Sequence, residues 1–100
     1  MDQQFSIGIW NDRLRAHVVW IEPWAEHYTL LPNQKLLVTT SGSVSGSGPW
    51  FILVETEGNT QVYVERGAVE RDSYPLVQID GVEVVGGHNR QAAIDAGIWK

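Results

Sequence analysis

The fold turns on one passage: Trp50-Phe51-Ile52-Leu53-Val54-Glu55, then Thr56-Glu57-Gly58-Asn59, then Thr60-Gln61-Val62-Tyr63-Val64-Glu65. In the second arm Val62 and Val64 point one way while Gln61, Tyr63 and Glu65 point the other, the period of a half-buried strand. The first arm is dense in large apolar residues on both faces, which predicts a central strand covered above and below. Glu57-Gly58-Asn59 supplies the turn, so the two arms read as a β-hairpin.

The same period extends outward in both directions. Toward the N-terminus, Phe5-Ser6-Ile7-Gly8-Ile9 alternates large apolar and small residues, and Asn11-Asp12 offers a turn. Over 14–21, Leu14, Ala16, Val18 and Trp20 form one face. The other, Arg15, His17, Val19 and Ile21, changes from polar to apolar, as in a strand entering the interior. Pro23 holds Glu22 extended and removes a donor, ending that strand. Short strands follow at 28–31 and 35–40, joined by the turn Leu31-Pro32-Asn33-Gln34, where Asn33 tolerates left-handed geometry. Ser41-Gly42-Ser43-Val44-Ser45-Gly46-Ser47-Gly48 has the composition of a flexible loop.

Toward the C-terminus, a charged connection over 67–73 leads to strands at 75–79 and 82–85. These flank Asp80-Gly81, a strong hairpin dipeptide because glycine accepts the positive φ of a primed turn. Asn89 is placed to cap a short helix over 90–96, with Gly97 as its left-handed stop and Ile94, Ile98 and Trp99 on an apolar side; a frayed tail is the alternative. Eight short strands without βαβ alternation predict an all-β fold. The expected form is a single antiparallel β-sandwich over 1–100, immunoglobulin-like, cupredoxin-like or jelly-roll, with a short C-terminal helix or tail and a closed barrel as the rival.

Composition excludes several functions. At 43% apolar and 19% charged the chain is neither disordered nor membrane-spanning, since no apolar run approaches the ~20 residues a spanning helix requires. A net charge of −5 opposes nucleic acid and anionic membranes as partners. Residues 50–83 hold seven acids, Glu55, Glu57, Glu65, Glu70, Asp72, Asp80 and Glu83, against Arg66 and Arg71. That is a solvated strand face or, functionally, a patch for a basic partner. Without cysteine there is no disulfide framework, thiolate metal site or cysteine nucleophile. Met-Asp-Gln-Gln-Phe has neither the basic start nor the apolar segment of a signal peptide, so the expected compartment is cytoplasmic.

Chemistry concentrates in Glu22-Pro23-Trp24-Ala25-Glu26-His27-Tyr28: two carboxylates, an imidazole and two aromatics in seven residues. Adjacent Glu26 and His27 point to opposite sides of an extended chain, and no His-x-His or His-Glu-x-x-His pattern converges on a metal. Gly86-Gly87-His88-Asn89-Arg90 could bind an anion through backbone amides, or serve as a glycine turn before a helix cap. No nucleophile elbow is present, and no cofactor is expected. Of five tryptophans, Trp20 and Trp50 read as core and Trp24 as a plug for the open end of the sandwich or a stacking platform, while Trp10 and Trp99 are left open.

Trp20-Ile21-Glu22-Pro23-Trp24-Ala25-Glu26-His27-Tyr28, Leu31-Pro32 and Gly87-His88-Asn89-Arg90 together resemble a family of small bacterial proteins. That family carries a Trp/Leu-x-Glu-Pro-Trp-Gly-Glu signature, a Leu-Pro-Gly turn and a Gly-His-Asn-Arg end. The chain departs from it at Ala25 and Asn33, where the family has glycine. The resemblance implies a bacterial, cytoplasmic, stand-alone domain and carries no catalytic residues with it.

These readings predict a binding or interaction domain for a protein or small ligand. Its surface combines Glu22, Trp24, Glu26 and Tyr28 with His88 and Arg90, in connections where functional residues gather. Trp24 and Tyr28 would give flat contact area and the glutamates accept hydrogen bonds. Arg90 would bind an acidic group or pair internally with a glutamate. The alternative is a small metal-dependent enzyme of cupin-like shape, with His17, His27, His88 and Glu22 or Glu26 as ligands. A homodimer through sheet edges is a third reading.

Overall fold

The computed structural model describes residues 2–43, 50–65 and 74–99, with side chains over 4–40, 51–64 and 74–99. Eight strands and one helix follow in order: β1 (Asp2–Trp10), β2 (His17–Glu22), β3 (Glu26–Leu30), β4 (Lys35–Ser43), β5 (Trp50–Thr56), β6 (Asn59–Glu65), β7 (Leu76–Ile79), β8 (Val82–Glu83) and α1 (Arg90–Asp95). They form two four-stranded sheets, β1-β4-β7-β8 and β3-β2-β6-β5, a sandwich-like all-β fold as the alternation predicts.

The two inner faces meet in one core. Val19, Ile21, Tyr28, Leu30, Val62 and Val64 come from one sheet and Ile9, Leu36, Val38, Val77 and Ile79 from the other, with Ile7, Trp24, Phe51 and Val84 packed at its margin. Within each sheet the core residues are cross-strand neighbours at alternate positions, as in Ile9 opposite Leu36 and Leu36 opposite Ile79. Val62 and Val64 face inward as read from the sequence.

The turns follow their residue chemistry. Asp80 and Gly81 both sit at positive φ, and Asp80 ties the β7–β8 hairpin to β4 by accepting from Lys35 N at 3.0 Å. Asn33 adopts φ 70 in the turn that begins at Leu31. Asn11 is a buried knot: its Nδ2 donates to the carbonyls of Arg15 and Leu30 at 2.9 and 3.1 Å, and its Oδ1 accepts from Arg13 N at 3.1 Å. After α1 the Ile98 and Gly97 amides bond back to the Ala93 and Ile94 carbonyls, both at 3.0 Å. With Gly97 at φ 76 this is a Schellman ending, the stop expected there.

Several expectations are corrected. The sheets are not wholly antiparallel, because β2 and β6 run parallel. The chain leaves β2 through β3, crosses to β4 in the other sheet and returns through β5, a route that strand spacing does not encode. β5 is an edge strand rather than a central one. The strand read over 14–21 begins only at His17, and Leu14 is 99% exposed, because Asn11 holds the preceding residues in a loop. β4 continues through Ser43 by pairing with β1, so the Ser/Gly tract starts as strand. Asn89 makes no side-chain cap bond and lies at φ 57. The expected loop over 44–48 and the connection over 67–73 lie outside the described residues, as do Glu70 and Asp72 and the side chains of Trp50 and Glu65.

Candidate functional site

The Glu22–Tyr28 motif forms the turn between β2 and β3. Ile21 and Glu26 are the last paired residues, so Pro23, Trp24 and Ala25 make the loop, with a cis Glu22–Pro23 bond. Trp24 packs half-buried on the core and meets Tyr74 edge-on, centroids 5.2 Å apart. Ala25 holds φ 58, where an L-residue with a Cβ pays roughly 1–2 kcal/mol. Glycine there also widens the unfolded ensemble by about 0.4–1 kcal/mol, so Ala25→Gly gains about 0.5–1 kcal/mol net. Urea denaturation should show the midpoint rising at unchanged slope; a falling midpoint contradicts the strained turn.

The C-terminal motif reaches the same place. Gly87 N donates to the His27 carbonyl at 2.8 Å and Thr29 N to the His88 carbonyl at 2.9 Å, so 86–88 lines up along the outer edge of β3. The two segments singled out in the sequence thus lie side by side, joined by backbone bonds. His88 enters this junction through its backbone. On the outer face of the sheet His27 lies between Trp20, 5.2 Å away, and Trp99, 4.2 Å away, both edge-on. The Arg90 guanidinium sits 5.4 Å from the Trp99 ring centre. Among the described residues Arg90 makes no ion pair with Glu22 or Glu26; a cation–π contact takes the place of the expected internal pair.

Three further site expectations change. Tyr28 is 0% exposed, so it belongs to the core and offers no flat contact area. Glu22 neighbours Ile21, the partner of Glu26, and so projects from the opposite face of the sheet to Glu26. The histidines do not converge. His17 pairs with Leu30 and Trp20 with His27, which puts His17 on the inner face and His27 on the outer one. Among the described residues no three His, Cys, Asp or Glu side chains are grouped as a metal would need, which removes the support for the ligand set His17, His27 and His88. His17 Nε2 instead shares a 2.7 Å hydrogen bond with Thr60 Oγ1.

What the motif does border is a groove of about 240 Å³ between the end of β3 and the β7–β8 hairpin. Glu26 and Glu83 line it together with Tyr74, Leu76, Val85 and Gly86. At its floor the Tyr28 and Tyr74 hydroxyls lie 2.5 Å apart. Burial pushes both phenols above their ordinary range, so they stay neutral donors and acceptors. Glu26 lies across Gly86: a Cβ there would stand 2.7 Å from Glu26 Cδ, so glycine permits this placement of the carboxylate. In the sequence Glu83 stands out only within a charge run, Leu76 and Val85 only as strand residues, and Tyr74 not at all. The available signal was Asp80-Gly81, whose hairpin carries 83–86 back beside β7 and on to β3, with Val84 N bonded to the Val77 carbonyl at 3.0 Å.

A second groove, of about 810 Å³, opens at the other end of β2 between 13–17, the β5–β6 turn and Gly97–Ile98. Its cations are engaged: Arg13 lies 3.7 Å from Glu55, and Arg15 donates to the Ala96 carbonyl at the end of α1. No family model, curated protein or solved structure matches the chain.

Proposed function

We propose that this chain is a binding domain whose groove between Glu26 and Glu83 takes a cationic group carried on an apolar stem. The carrying observation is that both carboxylates line one groove whose walls are Leu76, Val85 and Tyr74. Carboxylates accept hydrogen bonds from an ammonium or guanidinium, while the apolar wall covers its methylenes. At about 240 Å³ the space is smaller than the ~300–1,000 Å³ of cofactor-sized pockets, and suits a side chain or small amine. The chain's negative charge draws such a ligand in.

Amide spectra of the full chain, titrated with butylamine, butylguanidine and butyrate, test this reading. Both cations should shift Glu26, Glu83 and Val85, and butyrate should not. Glu26→Gln and Glu83→Gln should each weaken binding about fivefold, the size expected of solvent-exposed charge contacts. Gly86→Ala should do the same by displacing the Glu26 carboxylate. Cations that shift nothing at the groove, or affinities indifferent to all three substitutions, would overturn it. A lysine-bearing peptide binding tighter than butylamine would identify a protein partner; equal affinities would identify a small amine.

A further inference from the structure

The sheet β3-β2-β6-β5 ends in two unlike edges. The β3 edge is taken up within the chain, by the backbone bonds of Gly87 and His88. The β5 edge is different: among the described residues no strand pairs with its outer side. An antiparallel edge strand leaves the N–H and C=O of every second residue unpaired. Of the devices that blunt such edges β5 carries one charge, Glu55, and no lysine, arginine or proline over 50–56. Ile52, Leu53 and Val54, on both of its faces, are 50%, 45% and 42% exposed.

We propose that β5 pairs antiparallel with β5 of a second copy of this chain, about a two-fold axis at Leu53, making one continuous eight-stranded sheet. This surface is separate from the Glu26–Glu83 groove, at the opposite edge of the sheet.

Self-pairing is favoured over an unrelated partner by register and charge. A two-fold axis perpendicular to the sheet keeps both inner faces on one side, so only residues of like face can oppose each other. The register centred on Leu53 overlaps all seven residues, setting Leu53 against itself, Ile52 against Val54, Phe51 against Glu55 and Trp50 against Thr56. On the outer face Ile52 and Val54 already neighbour Tyr63 and Gln61 across β6, so the new pairs extend an existing ladder. Glu55, the charged residue of β5, does not meet its copy. The two lie four residues apart along the strand, roughly 13 Å at the usual rise and beyond the ~8 Å screening length. Arg13 of the same chain, 3.7 Å away, also offsets its charge. Two chains of net charge −5 thus meet along a strand with one charge, Glu55, which is held apart from its copy and lies beside Arg13.

Sedimentation velocity of the full chain across a micromolar concentration series tests the pairing. The wild type should form a dimer whose fraction rises with concentration. Leu53→Lys sets two ammonium groups opposite each other at the axis and should raise the dissociation constant about 100-fold, with circular dichroism unchanged. Leu14→Lys, at an exposed loop position, should leave the dimer intact. A wild type that stays monomeric at high concentration, or a folded Leu53→Lys that still dimerises, overturns the proposal. Should Leu53→Lys fail to fold, amide exchange of the wild type at low and high concentration decides. Slowing with concentration along β5 supports the pairing, and unchanged rates there overturn it.

Discussion

Replacing Tyr28 with alanine should lower the unfolding free energy by about 4 kcal/mol, with a melting temperature roughly 15–30 °C lower. Its ring is wholly buried on the inner face of β3, among Val19, Ile21, Leu30 and Val62. Alanine removes the largest fully buried side chain of the molecule's described core and leaves a cavity that the paired β2 and β3 backbones prevent from collapsing. Tyr28→Phe keeps the ring and removes only the hydroxyl bonded to Tyr74 at 2.5 Å. Tyr74 is exposed enough to recruit water instead, so that change should cost about 1 kcal/mol. Tyr74→Phe should cost about as much, and the double variant less than the sum of both, since one shared bond is lost. Urea denaturation of the four variants checks this. A Tyr28→Ala loss below about 2 kcal/mol would mean that the ring does not carry the core.

Alternation in the sequence reports which side chains share a face, as it does for Val62 and Val64, while the turn chemistry of Asp80-Gly81 marks its hairpin. It is silent about what covers a face. β5 shows the consequence: an apolar strand reads as central, yet the same pattern serves a strand at the end of its sheet, and Ile52 and Val54 are exposed. Leu14 fails for another reason. Its apolar side chain continues the period of β2, but the hydrogen bonds of Asn11, which no periodicity reports, stop the strand short of it. The parallel β2–β6 pair depends on the chain's path through the second sheet, again beyond local pattern. At the site, residue chemistry brought the Glu22–Tyr28 and 86–90 segments together, and the structure joins them. Roles within that junction were not legible. Burial turned Tyr28 into core, Trp99 engaged Arg90, and Glu26 found Glu83 only because a hairpin fifty-odd residues later returns beside β3.

Trp99→Ala should remove about 2–3 kcal/mol and lower the melting temperature by roughly 10–20 °C, somewhat less than truncation of a fully buried tryptophan. Trp99 lies 5.6 Å from Trp20 and 4.2 Å from His27 and carries Arg90 on its ring, so it fastens the chain beyond α1 to the outer face of β2 and β3. Its loss should also change the pH dependence of stability. Burial, and then the nearby Arg90 charge, lower the His27 pKa below 6.5. Burial, and then Arg13, do the same for His17. A base with a depressed folded pKa binds protons more readily when unfolded. Its contribution is therefore complete above pH 6.5 and is lost as pH falls through the folded value. The wild type should lose stability below pH 6.5 through both histidines, and Trp99→Ala mainly through His17. Imidazole titrations by NMR separate the two: the His27 midpoint should rise toward 6.5 in Trp99→Ala while that of His17 stays in place. If the His27 midpoint does not move, the tryptophan is not what desolvates it, and the fastening role assigned to the indole fails with it.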